Sequence, residues 1–213
     1  MGKRILVINP NSSQSCTSGI AESLKAFAAP GLPVFDTISL PGGPPAIASW
    51  RDWYGVAEPL CRLVENSPAD AYILACVSDP GLEAVRSVTP KPVFGPFRSA
   101  VAAALARAER FGVIAFVDAS KARQRRALQA MGAEARLAAS IALNLPMEVL
   151  TDPVAARGAL CDTARALVAE GAEAVILGCA GMAGHRAAVE DAAGVPVIEP
   201  CQAAAVQALL ALV

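Results

Sequence analysis

The segment "SPADAYILAC" ends on Cys76, and "AEGAEAVILGC" ends on Cys179 about a hundred residues later. In both, a short, β-branched, unalternating apolar run precedes the thiol, the pattern of a strand buried on both faces. Ligands of open parallel α/β sheets bind beyond the carboxyl ends of the strands, and Cys76 and Cys179 occupy that end. If the two segments face each other about a pseudo-twofold axis, both sulfurs line one cleft from opposite sides. Two acid–base groups on opposite faces of one carbon are what inversion of an acidic C–H centre requires: one removes the proton, the other returns a proton from behind. Backbone N–H groups of the following turns, "VSDPGL" and "AGMAGH", would hold the planar enolate. In those turns Asp79 is placed to cap a helix, Pro80 suits a first helical position, and Gly81 or Gly181 permits tight geometry. A helix N-terminus draws a cysteine pKa from about 8.5 toward neutrality, so the sequence predicts a thiolate formed before substrate arrives.

The elements that must position these thiols repeat along the chain. "RILVI", "VFDTISL", "AYILAC", "PVFG", "FGVIAFV", "AVILGC" and "PVIEP" read as buried strands. They alternate with the helical stretches "CTSGIAESLKAFAA", "DWYGVAEPLCRLVEN", "SKARQRRALQAMG" and "PVAARGALCDTARALVAEG", an order that implies parallel sheets. Each cysteine strand is followed by a helical stretch and then by a Pro-Val strand, Pro92-Val93 and Pro196-Val197, at nearly equal spacing, and "ILVINPNS" is echoed by "VIAFVDAS". The predicted fold class is therefore α/β, with two similar parallel-sheet halves related by a pseudo-twofold axis and the active site in the cleft between them. Residues 1–95 form the first half and 96–199 the second, with a closing helix, 200–213, packing back on the first.

Composition narrows the function. With 213 residues the chain can build a real core without disulfides or a structural metal. The formal net charge is −1 and the Lys and Arg residues are scattered, which argues against nucleic acid and against an anionic membrane surface. The substrate is expected to be a small molecule. The apolar run Ile5 to Ile8 is too short for a secretory signal, and a cytoplasmic protein is expected. Six cysteines without a C-x-x-C pair and a single histidine, His185, offer no zinc spacing; the expectation is no metal and no organic cofactor. Cys16, Cys61, Cys161 and Cys201 fall in helical stretches and read as core. In "NPNSS", Asn9, Asn11 and Ser12 can either donate to a ligand carbonyl or serve the turn and the next helix. "LPGGPPAI" forms a stiff loop at the same rim.

Taken in order, "INPNSS", "GPPAI", "ACVSDPGL" and "LGCAGM" resemble the hydantoin and allantoin racemase branch of the aspartate/glutamate racemase superfamily, with the likeness running from Lys3 to Val213. The resemblance implies two facing α/β subdomains, a cofactor-independent two-thiol racemisation, a cyclic ureide substrate such as a 5-substituted hydantoin or allantoin, and a homo-oligomer. By position, Cys76 and Cys179 inherit the two base roles. Asn11, Ser78, Gly181 and the amides of Val77 and Ala180 inherit ligand contacts, with Pro44 and Phe116 joining the substrate-binding set. Three places depart from the branch: "PFRSA" stands where Ile-Ala-Glu-Ala-Ala is common, Phe116-Val117 where a Thr-Thr pair is usual, and "VIEPC" with Glu199 where the branch closes on "VIDG". Fewer hydroxyls together with Phe97 and Phe116 predict a bulkier or more apolar substituent. Other readings stay open: an arylmalonate-type decarboxylase or a maleate-isomerase-like enzyme, each needing one thiol, and a non-catalytic small-ligand binder.

Overall fold

The structure, a computed structural model, describes residues 2–152 and 154–212; Met1, Pro153 and Val213, all included in the predicted halves and helices, lie outside the described residues. The chain runs β1 (Arg4–Asn9), α1 (Gln14–Leu24), β2 (Val34–Ser39), α2 (Trp50–Gly55), α3 (Ala57–Glu65), β3 (Ala71–Leu74), α4 (Leu82–Val88) and β4 (Val93–Phe94). It continues through α5 (Pro96–Leu105), β5 (Phe111–Ala115), α6 (Asp118–Ala130), β6 (Leu137–Ala142), α7 (Met147–Thr151), α8 (Arg157–Ala169), β7 (Ala174–Gly178), α9 (Arg186–Ala193), β8 (Val197–Ile198) and α10 (Pro200–Leu210). Two four-stranded parallel sheets result, ordered β2-β1-β3-β4 and β6-β5-β7-β8. The strand orders correspond one to one, as the internal repeat implies. In each sheet the chain steps from the first strand to one side and then back to the other, so the ends of β1 and β3, and of β5 and β7, form a crevice.

The continuous apolar runs are the central strands: Ile5–Ile8, Ala71–Leu74 and Phe111–Ala115 are all buried. The edge strands β2 and β6 are only half-buried. Sequence reasoning missed β6, because "LAASIA" has neither the apolar density of a central strand nor a clean two-residue alternation. The stretch "DWYGVAEPLCRLVEN" is two helices and not one; α2 starts on its Ser49–Asp52 capping box and ends at Gly55, with Val56 as the cap residue shared with the start of α3.

Each sheet passes the helix after its last strand to the other sheet. α5 buries Phe97, Ala100, Val101 and Ala104 against Phe111, Val113, Ala174 and Ile176 of the second sheet. α10 buries Cys201, Ala204, Ala205 and Ala208 against Ile5, Val7, Ala71 and Ile73 of the first. This exchange lays α5 and α10 against one another and clamps the two crevices face to face. It also corrects the expectation for Phe97, which is core and lies away from the crevice, because the first turn of α5 points it at β5.

Both crossing helices start on a buried carboxylate. The amides of Phe97 and Arg98 donate to Asp79 at 2.9 and 3.0 Å, so Asp79 caps α5 and not the helix that follows it, whose cap residue is Gly81; Pro80 precedes that cap. Asp79 takes a left-handed φ of 47° to reach across, and Gly95 makes room, since a Cβ there would lie 2.4 Å from the Asp79 carboxyl carbon. At α10, Glu199 accepts from the amides of Cys201 and Gln202 at 3.1 and 2.6 Å. Burial pushes the Asp79 carboxyl up to about 6 and that of Glu199 up to about 7, against the opposing pull of those amides.

Candidate active site

Cys76 and Cys179 leave the carboxyl ends of β3 and β7 and meet in one chamber between the halves. Cys76 follows a tight turn in which its own amide donates to the Leu74 carbonyl at 2.7 Å. Cys179 follows Gly178, where a Cβ would lie 2.3 Å from the Ile114 carbonyl oxygen, so only glycine lets β7 approach β5 this closely ahead of the thiol. Asn11, Cys16, Ile47, Ser78, Phe116, Ser120 and Met147 complete the wall with the residues adjoining the two cysteines. The free volume is about 30 Å³, far below the ~300–1,000 Å³ of sites that enclose a drug-sized ligand. The cleft is narrow, and both cysteines keep partial exposure.

The chamber gathers Cys76, Cys179, Asn11, Val77, Ser78, Ala180 and Phe116 from the predicted set. Gly181 lies just behind Cys179, 3.6 Å from its sulfur by the position a Cβ would take, and borders a neighbouring cleft with Thr151 and His185. Pro44 lies off the wall; its carbonyl accepts from the Ser12 amide at 2.9 Å, and Ile47 of the same loop reaches the chamber in its place. Asn9 is spent internally, donating to Asn11 Oδ1 and Thr17 Oγ1 at 2.9 and 3.0 Å. Ser12 is exposed, and Ser13 is the cap of α1. His185 is buried outside the chamber, with Nε2 3.2 Å from the Leu150 carbonyl oxygen. Glu199 serves as a helix cap and does not alter the pocket's polarity.

Sequence reasoning missed several chamber residues and neighbours, Ser120 among them. Cys16 was read as helical core, yet it lines the chamber beside both cysteines; its position one turn into α1, directly after the Asn-rich loop, was the available signal. Met147 comes from α7, a five-residue helix too short to show a period. Arg123 and Gln124 sit in the charge-rich stretch "SKARQRRALQ", which reads as a solvated helix, but only 2% of each is exposed. Arg123 Nη2 donates to the Ile47 carbonyl and to Ser120 Oγ at 3.2 and 3.1 Å, and its guanidinium lies 5.8 Å from the Trp50 ring centre.

The predicted preformed thiolate is not what the site favours. α4 begins only at Leu82, and the turn after Cys179 is a short 3-10 stretch, Ala180–His185, so neither sulfur sits on a long helix end. Burial dominates, pushing Cys76 up and Cys179 well up. Their remaining surroundings differ. Ser78, whose Oγ lies 3.6 Å from the Cys76 sulfur, and the positive charge of Arg123 oppose the rise at Cys76. Cys179 is relieved only by the Gly181 backbone, while Cys16 and Cys76 push it further up. Cys16 itself is pushed up to about 12, chiefly by burial.

Among the described residues, no three His, Cys, Asp or Glu side chains are grouped to hold a metal ion, and no helix is long and apolar enough to cross a membrane.

The family model described as Asp/Glu/Hydantoin racemase matches residues 5–208. A hydantoin racemase of Paenarthrobacter aurescens is 36% identical over 207 residues, covering 94% of this chain and 87% of that protein. A hydantoin racemase of Pseudomonas sp. (strain NS671) is 37% identical over 207 residues, covering 92% of this chain and 80% of that protein. Among solved structures, allantoin racemase from Klebsiella pneumoniae superposes with a TM-score of 0.90 at 32% identity, covering 99% of this chain and 89% of that one.

Proposed function

Since the chain belongs to the Asp/Glu/hydantoin racemase family and is an isomerase of that kind, we propose that it inverts the acidic C–H carbon of a hydantoin-like cyclic ureide by two-thiol proton transfer, without a cofactor. The observation that carries the reading is the pair of thiols, Cys76 and Cys179, brought from two related sheets to one chamber. Burial raises both thiols, so one of them must lose its proton before the reaction begins. One thiol gives its proton to water, and substrate then binds between the two sulfurs. The thiolate removes the ring C–H proton and becomes a thiol; the electron pair moves into the adjacent carbonyl as an enolate. The facing thiol delivers its proton to the other side of the carbon and is left as the thiolate. Asn11, Ser78 and the amides of Val77 and Ala180 border the chamber and can donate to the enolate and ring carbonyls.

Phe116, Ile47 and Met147 give the wall an apolar side, which fits a ring bearing an apolar 5-substituent better than allantoin's polar ureido group. The same proposal makes the protein a cytoplasmic homo-oligomer acting on a small molecule. The test is a panel of pure-enantiomer 5-substituted hydantoins, allantoin, aspartate, glutamate and arylmalonates, followed by proton NMR in deuterium oxide. Loss of the ring C–H signal together with loss of optical rotation on a hydantoin is expected. Carbon dioxide release from an arylmalonate, with hydantoins untouched, would overturn the reading in favour of a lyase.

A further inference from the structure

The Gln124 side chain lies between the two cysteine turns. Its Nε2 donates to the Val77 carbonyl at 3.0 Å and to the Gly178 carbonyl at 3.4 Å. Val77 directly follows Cys76, and Gly178 directly precedes Cys179. Both acceptors are carbonyl oxygens, so only the amide nitrogen can point at them, which fixes the orientation of the side chain. The residue is 2% exposed, and among the described residues no protein donor reaches its Oε1. Burying an amide with one end unmatched is a cost that packing alone would remove by an apolar residue. Its place on α6 also matters, because that helix belongs to the second sheet while Val77 belongs to the first. One side chain thus ties the two turns across the pseudo-twofold axis.

We propose that Gln124 is a positioning residue whose amide sets the gap between the Cys76 and Cys179 sulfurs in the chamber. The inference rests on the two-thiol reading. It adds that the reaction depends on matched distances to the carbon from both faces, and that these distances are held through Val77 and Gly178. Gln124 touches neither thiol, so its removal leaves each sulfur able to meet the proton it faces. What is lost is the simultaneous reach of both.

The test separates exchange from inversion. Gln124→Met keeps the volume and removes both hydrogen bonds. In deuterium oxide, the inversion rate of a 5-substituted hydantoin is expected to fall by about 10²-fold, the scale of a 1 Å misplacement. Wash-in of deuterium at the ring carbon without inversion should fall by less than about tenfold, with KM changed by less than about threefold. A ratio of inversion to exchange equal to that of the unaltered enzyme, at whatever absolute rate, would overturn the inference. If Gln124→Met does not fold, Gln124→Asn, one methylene too short to reach both carbonyls, is read by the same ratio. Failure of the two-thiol reading would appear elsewhere, as racemisation by an enzyme lacking one cysteine, whatever the Gln124 variants do.

Discussion

In the first half the carboxylate that starts the crossing helix comes from the cysteine turn, whereas in the second half it comes from the helix's own cap residue. Asp79, three residues after Cys76, reaches over Gly95 to the amides of α5; Glu199 caps α10 directly, and the place three residues after Cys179 is the buried Met182. The same backbone problem, free amides at a buried helix end, has been solved from opposite sides of the strand. The chemical consequence falls on the thiols. Burial raises Cys76 most; the Ser78 hydrogen bonds oppose it, and two fixed charges modulate it further, Arg123 pulling it down and the Asp79 carboxylate pushing it up. Cys179 has neither, and burial and neighbouring sulfurs govern it. Cys76 therefore has a charged neighbour that opposes the rise, and Cys179 has none.

Substitution at the two caps should separate the halves most strongly. Gly95→Ala places a methyl on the Asp79 carboxylate and expels it from α5, breaking two hydrogen bonds to a charged group, so a loss of about 3 kcal/mol in urea unfolding is expected. Glu199→Ala removes a cap that also accepts two amides but leaves no expelled carboxylate behind, and should cost about 1–2 kcal/mol. Equal losses would mean that the two caps are equivalent after all.

Next in size is the charge beside Cys76. With Arg123→Met, the rising limb of kcat/KM against pH should move to higher pH, and the rate near neutrality should fall by about tenfold or more, as loss of a nearby opposite charge implies. Arg123→Lys, which keeps the charge, should restore the limb's position in part. The groups acting on Cys76 are Arg123 from α6, Asp79 and Ser78 from its own turn, with the Cys16, Cys179 and Cys201 thiols around the same space. An unmoved limb would assign the ionisation to another sulfur.

The last effect is pH-dependent and concerns Asp79 itself. Its folded pKa of about 6 lies above its ordinary 3.8, so the folded state binds the proton more tightly than the unfolded chain. The associated stability is present below pH ~4 and is lost as pH rises through about 6, about 1–3 kcal/mol in all. Asp79→Asn should flatten that part of the stability profile, while the Glu199 contribution, centred nearer 7, persists.

The parts of the molecule legible in the sequence are those with dense or repeated patterns. The central strands announce themselves by unbroken apolar runs, and the cysteine turns by being written twice with matching Pro-Val strands downstream. β6 and α7 escaped because a half-buried edge strand and a five-residue helix carry little periodic signal. Arg123 and Gln124 were invisible for a different reason. A helix rich in arginine and glutamine reads as solvated, and only the clasp of the two halves shows that one of its faces is inside. The thiol ionisation was misjudged for the same cause: local turn geometry is read from sequence, but closure of the chamber, which sets the desolvation, is a property of the assembled halves.

Two thiols serving opposite faces of one carbon are the core of the proposed reaction, and deuterium wash-in on each pure enantiomer of a 5-substituted hydantoin, with Cys76→Ser and Cys179→Ser, tests them directly. Each variant should exchange the ring proton of one enantiomer only, the two variants choosing opposite enantiomers, while inversion falls by about 10²–10⁴-fold or more in both. Full racemisation by either single variant would contradict the two-thiol account and leave a reaction that needs one sulfur.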